Sequence, residues 1–597
     1  MAVGGIKGTL VTPGNFDRVL RFLYKAPRLV VDVETTGVDW YRPEVQTIGY
    51  AILAPVKERA DWRPVYFPYG HAGEGNLPRE CRNKMIRMLQ GKKLTNWNLK
   101  FDLHMMSKDG LVPPRQAEDT MLAHHLLNEN EFDYRLKRIA SEWTYPDAAD
   151  AEKRLKVKLA ELGLGKGQMS QLPADGEVAD YACDDVVNVE DLRRIHVPAL
   201  KEWKLYQIWC EVNEYMLATK RMESAGLMLD LDHTERLAEE ARQKIAPALK
   251  RIKKLAGYDI NLNSSKQLQA FLGMPSTAKD KLEERLEQDP DDPAIDALMT
   301  YRSWNKVLTS YYEAYLKRVS NNGLLYPNIK LHGTISGRPS CEDPNLQAVP
   351  RKDKKGIYKV KEVFIAPPGF TLVQGDLSQA ELRLFAHHSE DPIMMQTLAD
   401  FNADIHQATA DRMGVDRDWA KRINFGIVYG LGARGLAHSA KISESKAQEY
   451  LDLYHNVYKT IKPFYRKMEA KARYFGYIRL WTGRVRHYES MRFPEYRKAL
   501  SNLIQGGVAE IMRTAITRMD KRMQDTTDVM FGTRMLLQVH DAIMFYVPTP
   551  KLHKVLPEIR REMTNFDFRV PFKVDLSYGQ RWMQLEKWEE VGKHKAA

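Results

Sequence analysis

The sequence is poor in cysteine and has no long apolar run. Its four cysteines, Cys81, Cys183, Cys210 and Cys341, include no CxxC pair, which argues against a zinc site or a disulfide framework. No apolar stretch approaches the length of a membrane span, which argues against a membrane protein. The first residues lack the basic and apolar segments of a secretory signal, so we expect a cytoplasmic protein with reduced cysteines.

The chain is long and carries a net positive charge. Lysine and arginine exceed aspartate and glutamate by a net charge of +12. This balance favours a polyanionic partner such as nucleic acid, although solubility alone also explains such a charge. The chain has 597 residues, which is more than one hydrophobic core supports, so several domains are expected.

A first group of carboxylates begins in the stretch RLVVDVETTG. Asp32 and Glu34 are two residues apart, and on a strand such side chains point to the same face. The apolar run before them is typical of a strand that is covered on both faces. A half-exposed strand with a polar face is the alternative.

Two later stretches add further acidic residues. NWNLKFDLHMM places Asp102 just inside a predicted helix that begins near Asn98, and EVADYACDDVVNVEDL places Tyr181 and Asp185 on one side of another helix. Clustered carboxylates repel one another unless they lose charge or hold cations, and oxygen ligands suit magnesium or manganese. Two such ions can orient a water and stabilise the leaving oxygen of a phosphodiester.

The order DxE, NxxxD and YxxxD resembles the three motifs of the proofreading 3′–5′ exonucleases, which have a ribonuclease-H-like fold. The resemblance implies that Asp32, Glu34, Asp102 and Asp185 are metal ligands and that Tyr181 orients the attacking water. A degenerate, inactive copy of such a domain is the alternative. Every carboxylate that the pattern requires is present.

A second group begins in FTLVQGDLSQAELRLFAHH, which predicts a strand ending at Asp376 and a helix from about Ser378. A lone aspartate at a strand end is more often a helix cap than a ligand. The stretch nevertheless resembles motif A of the A-family DNA polymerases, DYSQIELR, with Leu377 in place of tyrosine. The resemblance implies that Asp376 and Leu377 bind metal and that Glu381 lies where a ribose 2′-hydroxyl would collide.

In LLQVHDAIMF, His540 and Asp541 interrupt an apolar run that otherwise predicts a buried strand and its return. A buried carboxylate is costly unless it is paired, hydrogen-bonded or bound to a metal. The stretch resembles motif C of the same family, HDE, with Ala542 in place of glutamate. The resemblance implies that His540 contacts DNA, and that Asp541 faces Asp376 from a hairpin tip and shares a pair of magnesium ions with it.

DRDWAKRINFGIVYG places Arg417, Lys421, Phe425 and Tyr429 at four-residue steps, on one slowly rotating helical face. An amphipathic helix with a basic end is the alternative. The stretch resembles motif B of the family. The resemblance implies that the two cations bind a triphosphate, that the two rings meet the sugar and base, and that Phe425 disfavours dideoxynucleotides. DIHQATA resembles the family's DIHxxTA, which makes His406 another triphosphate contact.

Two further stretches resemble parts of the family that contact the duplex. TISGRPSCEDPNLQAVPR supplies Arg338, Asn345 and Gln347, and YRKALSNLIQGGVAEIM supplies Arg497 and Gln505 on a helix. Local capping or packing is the alternative for each of these residues.

The resemblance implies an α/β (α+β multidomain) architecture. A ribonuclease-H-like exonuclease domain at 1–200 is followed by a right-hand polymerase with a thumb at 201–330, palm pieces at 331–388 and 506–597, and fingers at 389–505. The two palm pieces are expected to meet as an antiparallel sheet. The layout resembles compact phage enzymes without a 5′-nuclease domain.

The predicted function is template-directed DNA synthesis from a primer 3′ end by two-metal catalysis, with 3′–5′ proofreading, in phage replication. Two Mg²⁺ ions per active site are expected, with Mn²⁺ as a substitute. Expected partners are primer-template DNA, deoxynucleoside triphosphates, a helicase and a single-strand-binding protein, for a monomer in the host cytoplasm. A non-catalytic nucleic-acid-binding protein and an exonuclease with a silent polymerase half are the alternatives.

Overall fold

Residues 7–350, 356–488 and 495–589 are described by the computed structural model. Six strands occur before residue 200: β1 Thr9–Leu10, β2 Arg28–Thr35, β3 Thr47–Leu53, β4 Val65–Pro68, β5 Lys93–Asn96 and β6 Ala117–Asp119. The helices of this part are α1 Phe16–Tyr24, α2 Arg79–Leu89, α3 Leu99–Lys108, α4 Thr120–Leu127, α5 Leu136–Trp143, α6 Asp150–Glu161 and α7 Gly176–Glu202. The strands form one mixed sheet in the order β1-β4-β3-β2-β5-β6.

Strand β2 lies inside this sheet, antiparallel to β3 and parallel to β5. Its residues Leu29, Val30 and Val31 are completely buried, as expected for a strand covered on both faces. Asp32 and Glu34 follow in the same strand and are half-buried. The prediction of a covered strand that carries two carboxylates on one face is therefore confirmed.

The middle of the chain is mainly helical. Its helices are α8 Tyr206–Ala225, α9 Leu231–Ala256, α10 Ser265–Leu272, α11 Lys279–Gln288, α12 Pro293–Val307 and α13 Glu313–Arg318, and a π-helical turn over Leu308–Tyr312 joins the last two. Its short strands are β7 Leu227–Leu229, β8 Leu324–Leu325, β9 Asn328–Lys330 and β10 Ser340–Glu342.

The last part of the chain is built on a second sheet. Strand β11 Phe364–Ile365 lies outside this sheet and pairs with β7, and β13 Tyr477–Arg479 and β14 Val485–His487 form a nearby hairpin. The other strands of this part are β12 Phe370–Ser378, β15 Arg534–Val539, β16 Ala542–Pro548, β17 Lys573–Gly579 and β18 Glu586–Lys587. Its helices are α14 Ala380–Ser389, α15 Pro392–Ala399, α16 Ile405–Met413, α17 Arg417–Val428, α18 Ala433–Ala440, α19 Glu444–Val457, α20 Ile461–Phe475, α21 Ala499–Gln524 and α22 Leu552–Thr564. The order β15-β16-β12-β17-β18 is antiparallel throughout, so two distant pieces of chain meet in one sheet as expected.

Helix α8 connects the two sheets. Trp209 donates its ring N–H to the carbonyl oxygen of Asp119 at 2.9 Å, on the side of the first sheet. Tyr215 donates its hydroxyl to the Gln538 side chain at 2.9 Å, and Arg221 pairs with Asp520 at 2.7 Å, on the side of the second sheet. A single helix therefore fixes the position of one sheet relative to the other.

The structure corrects two predicted boundaries near the second sheet. Strand β12 continues to Ser378, and α14 begins at Ala380, because the Leu377 amide still donates to the carbonyl oxygen of Asp541 at 3.0 Å. Gln379 is the N-cap residue of α14, so Asp376 caps no helix. Arg497 lies in a 3-10 turn, Glu495–Lys498, that precedes α21.

The four cysteines are free thiols, as expected. Within the described ranges, no helix combines the length and the apolar character that crossing a bilayer requires.

A buried ionic contact joins the two halves of the chain at Glu129, which is 3% exposed. Arg486 donates to one of its oxygens at 2.7 Å, and the ring Nδ1 of His487 lies 2.9 Å from the other. Burial alone would raise the pKa of Glu129, but the hydrogen bonds from His487 and Arg486 outweigh it, so the pKa is lowered. This carboxylate therefore stays charged at neutral pH.

Replacing Glu129 with glutamine is expected to lower the free energy of unfolding by about 3–5 kcal/mol at pH 7, because Arg486 keeps a buried charge without its partner. A carboxylate with a lowered folded pKa stabilises above its unfolded pKa of about 4.3 and loses that contribution as pH falls below it. The difference between Glu129→Gln and wild type should thus shrink from pH 7 to pH 3.5 in urea titrations. The control Glu142→Gln removes an exposed pair with Arg138 and should cost under about 1 kcal/mol; equal losses in both variants would contradict the prediction.

Candidate active sites

Asp376 and Asp541 lie near each other at one end of the second sheet. Asp376 is directly opposite Ala542 in the pairing of β12 with β16, and His540 and Asp541 form the turn before Ala542. The Leu377 amide donates to the carbonyl oxygen of Asp541, which fixes the turn against β12. Asp376 is exposed and Asp541 is half-buried, so both face a surface that substrate can reach.

The surroundings of Asp541 suit a cation. Its Oδ1 atom is buried and has no hydrogen-bond partner among the described residues, and the nearest guanidinium, that of Arg338, is 3.9 Å away. Burial raises the pKa of Asp541 to about 6, with Arg338 opposing the shift and Glu381 and Asp376 adding to it. A divalent ion would satisfy the free oxygen and relieve this repulsion, so the two aspartates fit the expected magnesium. Leu377 could contribute only its carbonyl oxygen, because its aliphatic side chain has no atom that binds a metal.

Three of the predicted site residues form a hydrogen-bonded group beside these aspartates. Arg338 donates to Glu381 at 2.8 Å, and Glu381 is 7% exposed in the first turn of α14. Tyr429, at the C-terminal end of α17, hydrogen-bonds to the same carboxylate; burial first, and then Glu381, raise the pKa of Tyr429 to about 12. Glu381 is therefore held in place from two sides.

Helix α17 carries the predicted nucleotide contacts in the order given by the sequence. Arg417 and Lys421 are exposed near its start, and Arg417 pairs with Asp404 at 2.6 Å. The rings of Phe425 and Tyr429 stack with centroids 6.2 Å apart. Cations therefore lie at one end of the face and aromatic rings at the other.

His406 lies beside this face, with its ring centroid 5.5 Å from that of Phe425. Burial lowers the pKa of His406 to about 4, so the imidazole is neutral at pH 7. The Asn424 side-chain amide donates to its Nδ1 at 3.1 Å, which leaves the proton on Nε2. His406 is thus prepared to donate a hydrogen bond to an anion.

The predicted duplex contacts have different environments. Gln347 donates its side-chain amide to the Gln538 carbonyl oxygen at 2.9 Å, next to the hairpin that carries Asp541. Asn345 uses its side-chain oxygen to cap the 3-10 turn Leu346–Ala348, so the capping alternative holds for that atom. His540 is exposed, with a left-handed φ of 54°, in the turn itself. The exposed Arg497 and the half-buried Gln505 lie before and within α21.

Sequence reasoning missed two residues near this site. Gln538 donates its side-chain amide to the His540 carbonyl oxygen at 3.1 Å and accepts from Tyr215. It therefore links the turn to helix α8. The only sign of this role in the sequence is that Gln538 is a polar residue in an apolar run. Asp575 of β17 pairs directly with Asp376, which places another carboxylate on the same sheet face, on the flank away from Ala542. No local pattern marks it, because the pairing joins residues about 200 apart.

A second acidic site lies at the first sheet. Asp32, Glu34 and Asp185 each offer an oxygen, and these atoms lie within 4.8 Å of one another. Asp102, the fourth predicted ligand, is next to them on α3: Asn96 donates to both Asp32 and Asp102 at 2.9 Å. The structure therefore brings three of the four carboxylates together and places the fourth at their side.

The electrostatics of this second site also fit a metal. Burial, and then Asp185, raise the pKa of Asp32 to about 7, while burial and Asp32 raise the pKa of Asp102. Glu34, and then burial, raise the pKa of Tyr181 far enough that its hydroxyl keeps its proton. Mutually repelling carboxylates that share one patch are suited to a divalent cation, and Tyr181 remains available as a donor.

Lys137 is a residue of the second site that no motif indicated. It lies in the first turn of α5, and its ammonium pairs with Asp184 at 3.1 Å and also with Asp185. The ammonium lies 5.0 Å from the centre of the Tyr181 ring. The Lys137 ammonium therefore lies within the acidic group.

A cleft of about 1530 Å³ opens at the second site. Its lining includes Asp32, Lys137 and Tyr181 from the first part of the chain, and Tyr326 and His332 from the later part. The cleft thus lies between the first sheet and the polypeptide that leads to Arg338.

Comparison with known proteins shows the family of the chain. Residues 231–584, more than half of the chain, match the family model described as DNA polymerase family A. The chain belongs to DNA polymerase family A. The match includes Arg338, Asp376, Glu381 and Asp541, whereas the carboxylates of the second site precede it.

Relatives of this family A chain extend the similarity beyond residues 231–584. It is 29% identical to DNA polymerase I of Lactococcus lactis over 557 residues, 86% of this chain and 60% of that protein. It is 26% identical to DNA polymerase I of Pseudomonas aeruginosa over 613 residues, 95% of this chain and 65% of that protein. The family A chain therefore spans less than two thirds of the length of these relatives.

A solved structure shares the fold of the family A chain. The POL domain of Pol1 from M. smegmatis, in complex with DNA primer-template and dNTP, superposes with a TM-score of 0.78 at 24% identity. The superposition covers 96% of this chain and 99% of that one. The predicted α/β multidomain architecture is confirmed.

Proposed function

We propose that the chain is a template-directed DNA polymerase that extends a primer 3′ end, with a 3′–5′ exonuclease in its first 200 residues. One observation carries the polymerase half: the turn that carries Asp541 lies beside Asp376 of β12, inside the residues that match family A. The exonuclease half is supported by the convergence of Asp32, Glu34 and Asp185, of which Asp32 and Asp185 line a cleft. We also propose the thumb, palm and fingers boundaries as the sequence predicts them.

At the polymerase site, different residues bind the metal and the triphosphate. Asp376, Asp541 and the Leu377 carbonyl would hold Mg²⁺, which supplies positive charge against the primer 3′-oxygen and the nucleotide phosphates when bound. Arg417 and Lys421 bind the triphosphate, and His406 adds a hydrogen bond from Nε2. These cations lie on an exposed helical face, so a nucleotide can reach them from solvent.

The sugar and base are selected by the group around Glu381. Arg338 and Tyr429 fix its carboxylate, and a fixed side chain excludes an added hydroxyl better than a mobile one. Phe425 and Tyr429 present stacked rings to the sugar and base. The substrate is accordingly a deoxynucleoside triphosphate.

At the exonuclease site, a frayed primer end enters the cleft and is trimmed. Asp32, Glu34 and Asp185 would hold a divalent metal ion, and the protonated hydroxyl of Tyr181 orients the water that attacks the last phosphodiester. Asp102 positions Asp32 through their shared partner Asn96. Manganese substitution, the phage setting, the monomeric state and the helicase and single-strand-binding partners stay predictions.

Replacing Tyr215 with phenylalanine is expected to slow primer extension several-fold without slowing 3′ degradation. The hydroxyl donates to buried Gln538, so its loss leaves an acceptor unsatisfied at a cost of about 1–3 kcal/mol and loosens the turn that carries Asp541. Single-turnover extension of a labelled primer measures the effect. Tyr206→Phe on the same helix, where the ring packs on Trp209, is the control; an equal effect of both variants would refute the positioning role.

The basic experiment uses a primed template with magnesium. With labelled deoxynucleotides, the primer should lengthen in the order dictated by the template; without nucleotides, it should shorten from its 3′ end. A non-catalytic binding protein would retain the primer and change its length in neither condition. Shortening alone would point to an exonuclease with a silent polymerase half.

A further inference from the structure

We infer that Lys137 supplies one of the positive charges of the exonuclease site, so that Asp32, Glu34 and Asp185 take one divalent cation rather than two. The inference rests on the proposed exonuclease function and changes its metal requirement. It comes from the position of one ammonium group among the carboxylates.

Lys137 is held in this position from several sides. Its side chain is 12% exposed, and it pairs with Asp184 as well as with Asp185. The Tyr181 ring lies 5.0 Å away, at the distance of a cation–π contact. An ammonium held by three groups occupies space that a second cation next to Asp185 would need.

Asp184 needs Lys137 as a counter-charge even when a metal binds the other carboxylates. It lies outside the three-oxygen group, accepts a hydrogen bond from Asn188 at 3.2 Å and has Lys137 as its ion-pair partner. Moving Lys137 away would leave a largely buried carboxylate without its counter-charge, which is costly. The pairing with Asp184 therefore keeps the lysine at the site whether or not Asp185 binds a metal.

Asp102 is already engaged as well. One of its oxygens accepts the Val33 amide at 3.3 Å and the other accepts Asn96 at 2.9 Å. A second divalent ion next to Asp185 would have to displace Lys137. One divalent ion and one ammonium instead carry three positive charges beside the four carboxylates Asp32, Glu34, Asp184 and Asp185.

The test counts Mn²⁺ ions by electron paramagnetic resonance on the full chain carrying Asp376→Asn and Asp541→Asn, so that ions of the polymerase site do not contribute. We expect one bound ion, which is lost when Asp32→Asn is added. Adding Lys137→Met should raise the count to two, and adding Lys137→Arg should leave it at one. Lys153→Met, in the same cleft but paired with Asp150 at 2.8 Å, is the control and should also leave one ion.

A second readout follows the same variants with a 3′-labelled single strand. Lys137→Met should degrade it at least 10-fold more slowly at low Mg²⁺ and regain rate with a steeper Mg²⁺ dependence, whereas Lys153→Met should match the parent. Two ions in the parent, or an unchanged count and Mg²⁺ dependence in Lys137→Met, would overturn the inference while the exonuclease stands. No shortening by the unmodified chain would instead overturn the exonuclease itself, and this inference with it.

Discussion

Replacing Asp541 with asparagine is expected to abolish primer extension, with a loss of about 10³-fold or more, while 3′ degradation continues at the wild-type rate. Asp541 supplies an oxygen without a hydrogen-bond partner next to Asp376, and the amide removes its charge with little change in shape. A metal ion at a reacting phosphate contributes several kcal/mol of charge stabilisation, and each 1.4 kcal/mol is about tenfold in rate. Single-turnover extension with magnesium measures the loss.

The reciprocal variant provides the control. Asp32→Asn combined with Glu34→Gln should stop shortening of the primer and leave its extension unchanged, because these residues lie at the other sheet. Loss of both activities in either variant would contradict the two-site account. Melting temperatures close to the parent's would show that neither substitution unfolds the chain.

Replacing Glu381 with alanine is expected to let the chain incorporate ribonucleotides, with discrimination against them reduced about 100-fold. Glu381 is buried and fixed by Arg338 and Tyr429, so truncation opens space beside these two side chains. A clash with a single added hydroxyl is worth about two orders of magnitude in selectivity. The measurement is kcat/KM for a ribonucleotide and its deoxynucleotide opposite the same template base.

The control for this prediction is Glu390→Ala, just past the end of the same helix, where the carboxylate pairs with exposed Arg569. It should keep the parent's selectivity. Unchanged selectivity in Glu381→Ala would refute the role of Glu381, and a parallel loss in Glu390→Ala would point to a general disturbance of α14.

The parts of the site that the sequence predicted are those with a local pattern. Alternating and continuous apolar runs located β2 and the hairpin that carries Asp541, and four-residue spacing located the face of α17. The convergence of Asp376 with Asp541 followed from the resemblance to a polymerase family and not from spacing, because 165 residues separate the two positions in the sequence.

The parts that the sequence did not predict depend on contacts between distant residues. Strand β12 continues past Asp376 because a turn far along the chain accepts its amide hydrogen. Lys137 joins the acidic group because α5 packs beside α7, and a lone lysine near a helix start carries no signal of this. Glu129 pairs with Arg486 across 357 residues, and no pattern along the chain indicates which buried carboxylate meets which guanidinium.

Crystals of the chain with a primed template, a non-hydrolysable deoxynucleotide and Mn²⁺ provide the most direct test of the central claim, since manganese is located by its anomalous signal. The account predicts manganese within about 2.2 Å of carboxylate oxygens of both Asp376 and Asp541, next to the primer 3′ end. Manganese that contacts neither residue, or only one of them in a closed complex with nucleotide bound, would contradict it.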